Sequence, residues 1–129
     1  MTADDFFTGL FGSLAQRGAK AWSLRGIRFD AAVALAFDKL VELAPLNHLD
    51  VAFRIRPHSL HGDSAVVRDS LYSAAQRDIV SLDNPEYQTV RLKIGSIEGR
   101  RLLEQVPGGA YLFNKVAVAF NQAYDLQPA

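Results

Sequence analysis

Three observations in this 129-residue sequence predict a single-domain α+β fold. Two N-terminal segments repeat apolar residues at helical spacing, and later segments alternate apolar and polar residues as strands do. No linker, internal repeat or low-complexity tract divides the chain. That order suits a small antiparallel sheet of about three strands packed by helices. The helical part spans 4–45 and the sheet-containing part 46–129.

The first helix is expected from Asp4 to about Ala21. Phe6, Phe7, Leu10, Phe11 and Leu14 fall on one face, continued by Gly18 and Trp22. Gly9, Gly12 and Gly18 weaken it, each by roughly 0.5–1 kcal/mol against alanine, so it needs packing to persist. The Phe6, Phe7, Leu10, Phe11 stripe suits the domain's own core or, as the alternative, a homo-oligomer or partner interface, where aromatics are enriched.

Asp30 is a natural N-cap for a second helix over Ala31–Ala44, which Pro45 stops. Val33, Phe37, Leu40, Val41 and Ala44 form its stripe, and Leu35, Ala36 and Leu43 widen it toward a central position in the core. Between the two helices, Arg17, Lys20, Arg25 and Arg28 make a cationic stretch that reads as a solvated connector or, if it folds toward the sheet, as an extension of the sheet's own cations.

From Leu49 to Arg56 the period becomes two, with Leu49, Val51, Phe53 and Ile55 on one side, and Pro57 closes this strand. Residues 57–63 are a loop by composition. Ser64–Arg77 reads as a helix through Val67, Leu71, Ala74 and Ala75, with a strand as the alternative. Two short strands, Ile79–Leu82 and Tyr87–Ile94, flank the turn sequence Asp83-Asn84-Pro85-Glu86. Ser96 caps a helix to Val106, Pro107-Gly108-Gly109 ends it, and a last helix runs from Ala110 to Tyr124. If Tyr111–Phe120 is instead a strand, residues 49–120 take the ferredoxin-like order β-α-β-β-α-β.

Composition narrows function less than it narrows fold. Lys+Arg and Asp+Glu each number 14, which argues against a general polyanion binder but not against a local patch. No cysteine is present, so disulfides, Cys-based zinc sites and thiol nucleophiles are excluded. The acidic start Asp4-Asp5 does not resemble a secretory signal, and the most apolar run, Ala31–Leu46, is interrupted by Asp38, Lys39 and Glu42. A cytoplasmic protein without membrane attachment is expected.

The most informative pattern combines two strands. With Val51, Phe53 and Ile55 inward, Arg54 and Arg56 face out; with Val90, Leu92 and Ile94 inward, so do Arg91 and Lys93, beside Tyr87. In one sheet these make a basic face. It suits an acidic partner protein, or nucleic acid with Tyr87 as a stacking platform. The plain alternative is edge protection, or pairing of the arginines with Glu86, Glu98 or Glu104.

His58, His61 and Asp63 lie in one loop after that strand, and His48 precedes it. Two histidines beside arginines suit general acid–base work on a phosphodiester, which makes His58 and His61 the candidate residues of a small nuclease. His-x-x-His in a loop lacks the fixed geometry of a helical pair, so no metal site or cofactor is expected. Phosphate-loop and nucleophile-elbow sequences are absent. The expectation is therefore a non-catalytic binding or regulatory protein that recognises an acidic surface through Arg54, Arg56, Tyr87, Arg91 and Lys93. A bacterial inhibitor, an immunity-type protein or an adaptor fits that class.

Overall fold

The computed structural model describes residues 1–24, 27–55, 65–82 and 89–126. Its elements, in order, are α1 (Ala3–Gln16), β1 (Ala21–Ser23), α2 (Arg28–Leu43), a 3-10 turn (Pro45–Asn47), α3 (Ala65–Gln76), β2 (Val80–Leu82), β3 (Thr89–Leu92), α4 (Ser96–Gln105) and α5 (Gly109–Leu126). This is an α+β fold with a small antiparallel sheet.

α1 starts on a capping box. Thr2 Oγ1 accepts from the Asp5 N–H and Asp5 Oδ2 accepts from the Thr2 N–H, both at 3.1 Å, which satisfies two backbone donors at once. The helix stops earlier than expected. Gly18 takes a left-handed φ of 80°, its N–H donates to Ala15 O, and the Ala19 N–H donates to Leu14 O. This paired closure is the Schellman ending, which a glycine at that position permits without a Cβ penalty. The same ending closes α3, where Asp78 (φ 60°) stands in the glycine position and Ile79 N–H bonds Ala74 O.

Stopping α1 at Gln16 frees Ala21–Ser23 to form β1, which the sequence does not suggest. The sheet order is β1-β3-β2, with Trp22 opposite Val90 opposite Leu82 and Ala21 opposite Arg91 opposite Ser81. The first row faces the helices; the second faces away. Trp22 is 5% exposed and sits among Phe11, Phe29 and Phe120, with ring centroids 5.6–6.3 Å apart. Aromatic packing of that kind adds roughly 0.5–1.5 kcal/mol per pair beyond area burial.

The segment expected as a strand from Leu49 pairs with no strand over its described residues, 49–55. Its alternation survives as burial: Leu49, Val51 and Phe53 are half-buried, Ile55 is buried, and Asp50, Ala52 and Arg54 are exposed. The hydrogen bonds go to the N-terminus instead. Ala52 N–H donates to Met1 O at 2.9 Å and the Met1 amino group to Asp50 O at 2.6 Å. Residues 110–126 are helical, so the ferredoxin-like order over 49–120 does not form. Period-two patterning reports one wet and one dry side, not the neighbour that supplies backbone bonds.

α2 begins at Arg28 with Ile27 as N-cap and no side-chain capping bond; Asp30 lies inside the first turn and faces Arg68 on α3 at 3.7 Å. Val41, expected in the α2 stripe, is 47% exposed, while Ala36 and Leu43 are buried. For α4, Gly95 rather than Ser96 is the N-cap.

α2 packs along α5, and α1 packs against α4 and α5. Two glycine contacts permit the second arrangement. A Cβ on Gly9 would stand 2.4 Å from the Phe113 ring, and one on Gly99 would stand 2.5 Å from Gly12 O. The glycines that weaken α1 as an isolated helix are what let its backbone approach its neighbours.

Candidate binding surface

The expected basic face divides in two. Arg91 projects from the middle strand on the side away from the core, between the small residues Ala21 and Ser81. Lys93 follows on the same side; its N–H donates to Ile79 O, and its Nζ lies 3.1 Å from Asp78 Oδ1. Lys20 joins them because the Leu92 N–H donates to Lys20 O at 2.7 Å, tying the entry of β1 to the end of β3.

Among the described residues, Lys20, Arg91 and Lys93 line an open groove of about 640 Å³, together with the end of α1 and the Ile94-Gly95-Ser96 turn. At the mouth of that turn the N-terminus of α4 is already occupied. Glu98 Oε2 accepts the Gly95 N–H at 2.7 Å. That bond is the main reason the Glu98 carboxyl titrates below its ordinary 4.5, followed by a bond from its own N–H and the nearby Arg101 charge. The positive character of the groove therefore comes from side chains.

Arg54 is not part of this arrangement. It is exposed on the 49–55 segment and lines a separate groove with Phe37, Asp38 and Val41 of α2. Arg56, Tyr87, His58 and His61 lie outside the described residues. His48 is exposed in a left-handed turn (φ 54°). Among the described residues no group of three His, Cys, Asp or Glu side chains is placed to hold a metal, and no helix is long and apolar enough to cross a membrane.

Phe6, Phe7, Leu10 and Phe11 are each 0% exposed. They form the core with α2 and α5, so this stripe offers no surface for self-association in the folded chain. Two of the connector cations are not simply solvated either, and Arg25 lies outside the described residues. Arg17 bonds Asn114 Oδ1 at 2.6 Å, and Arg28 lies 3.9 Å over the Tyr124 ring while its Nε donates to Tyr124 O at 2.8 Å. Lys20 is the connector cation that extends the patch, as the alternative reading of that stretch allows. Its signal is Gly18: a left-handed helix ending two residues earlier turns the following chain into an extended segment.

No protein-family model matches the chain, nor does any curated protein or solved structure.

Proposed function

We propose that this chain is a non-catalytic binding or regulatory protein that takes an acidic segment of a partner protein in the Lys20–Arg91–Lys93 groove. The observation that carries this reading is the convergence on one open groove of three cations, Arg91 in β3 and Lys20 and Lys93 beside the ends of β1 and β3, with Asp78 bonded to Lys93. Exposed pairs with such cations contribute little individually, about 0.2–1 kcal/mol each, and act mostly on specificity and association rate. A partner presenting two or three carboxylates at strand spacing would engage all three.

The test uses two probes of equal length, a glutamate-rich peptide and single-stranded DNA, titrated at low and physiological salt. Peptide binding that falls about tenfold or more in Arg91→Glu/Lys93→Glu, but not in Lys115→Glu, supports the proposal. Binding of the oligonucleotide in preference to the peptide, or peptide binding indifferent to the double substitution, overturns it.

A further inference from the structure

The outer side of α2 carries a second surface, independent of the basic groove. Leu35 and Val41 are 46% and 47% exposed and stand with Asp38 and Glu42 on one solvent-facing ridge. A groove flanks the ridge on each side. One, of about 470 Å³, separates α2 from the 51–55 segment and is lined among the described residues by Phe37, Asp38 and Val41 facing Val51, Phe53 and Arg54. The other, of about 310 Å³, lies between α2 and α5, with Leu35 facing Ala119 and Ala123. Asp38 lines both.

A face with one acidic and one basic wall can close on a second copy of itself, each wall meeting the opposite wall of the partner. The charges agree with that occupant. Asp38 stands on one wall and Arg54 on the facing wall, and neither makes an ion pair or side-chain hydrogen bond with a described residue. Lys39, the neighbouring cation on α2, is held by Glu42 at 3.3 Å. A two-fold axis along the larger groove would lay each α2 wall over the other copy's 51–55 wall. Both Asp38 side chains would then meet an Arg54, with Val41, Val51 and Phe53 enclosed between the two pairs.

We infer that this face is a homodimer interface, with a second copy of the chain seated across the larger groove on an isologous two-fold. The apolar patch is small beside the ~800 Å² per partner of a standard interface, so the dimer is weak and concentration-dependent.

The experiment is sedimentation equilibrium of the full chain from about 1 μM to about 500 μM, a range spanning weak association. The wild-type chain is expected to move from 14.2 kDa toward twice that mass. Asp38→Arg places two arginines opposite each other at both ends of the interface, and Arg54→Asp places two aspartates there. Each variant alone should associate at least about tenfold more weakly. An equimolar mixture should restore association, because both contacts in the heterodimer are again Arg–Asp, and so should the two changes combined in one chain. Far-ultraviolet circular dichroism checks that each variant is folded. A wild-type chain that stays monomeric throughout, single variants that dimerise like wild type, or a mixture that fails to recover overturns the inference. Arg91→Glu should leave the dimer unchanged, which separates this result from that of the basic groove.

Discussion

Replacing Gly99 by alanine puts a methyl group where α1 and α4 already touch. The added Cβ would lie 2.5 Å from Gly12 O, 3.2 Å from Ala15 Cβ and 3.3 Å from the Gly12 carbonyl carbon. Ordinary carbon–oxygen contact begins at about 3.3–3.6 Å, so the two helices must separate by about 0.9 Å. The obstruction is backbone, so no rotamer change relieves it. A gap of that size forfeits a quarter to a half of the dispersion between facing atoms, and overpacking of this kind costs about 1–3 kcal/mol. Alanine's better helix propensity returns roughly 0.5–1 kcal/mol. The net expectation is a loss of about 1–2 kcal/mol, or roughly 3–10 °C in Tm for a domain of this length. Thermal unfolding by far-ultraviolet circular dichroism measures it, and the urea midpoint should fall with an unchanged m-value. Gly12→Ala, whose Cβ would meet Gly99 O at 2.9 Å, should follow with a smaller loss. If Gly99→Ala leaves Tm unchanged or raises it by the propensity gain alone, the close approach of α1 and α4 is refuted.

Three further perturbations test other parts of the structure. Gly9→Ala drives a methyl to within 2.4 Å of the Phe113 ring and should lower Tm by a similar amount, but here a side chain is the obstacle. Gly9→Ala/Phe113→Leu should therefore be more stable than the sum of the two single losses, and strict additivity would count against the contact. Arg28→Ala removes the guanidinium over Tyr124 and its bond to the Tyr124 carbonyl, and should cost about 1–2 kcal/mol. Amide exchange should rise in the last turn of α5, and unaltered protection there would show that Arg28 does not pin the helix end. Glu98→Gln tests the α4 cap by pH. The Glu98 carboxyl is lowered from 4.5 in the folded chain, so its stabilisation is present above that value and disappears as pH falls through the folded pKa. The variant should be less stable than wild type at neutral pH, with the gap closing in acid below 4.5; a gap that persists there contradicts the cap.

The candidate site was only half legible. Alternation along 89–94 puts Arg91 and Lys93 on one side whatever the sheet's neighbours are, and the structure keeps them together. Placing Arg54 beside them required the 49–56 segment to join the same sheet. Alternation carries no information about pairing, and the place beside β3 is taken by β1, three residues with little pattern of their own. Lys20 enters the groove by that substitution. The glycines show the same limit. Counted within α1, Gly9 and Gly12 are losses of helix propensity; the Phe113 ring and the Gly99 carbonyl that use them lie 104 and 87 positions further along the chain.

By itself the sequence determined that the fold is α+β, where its longest helices run, and that Phe6, Phe7, Leu10, Phe11 and Leu14 share a face. Each of those follows from local period and local capping chemistry, which act over a few residues. Tertiary structure alone decided that the aromatic stripe is wholly enclosed, that Trp22 rides on a sheet strand, and that the cations separate into a Lys20–Arg91–Lys93 groove and an Arg54 groove. Those outcomes depend on which distant segments compete for the same sheet edge and the same helix face, and burial of apolar surface, being non-directional, leaves that competition to the packing of the whole chain.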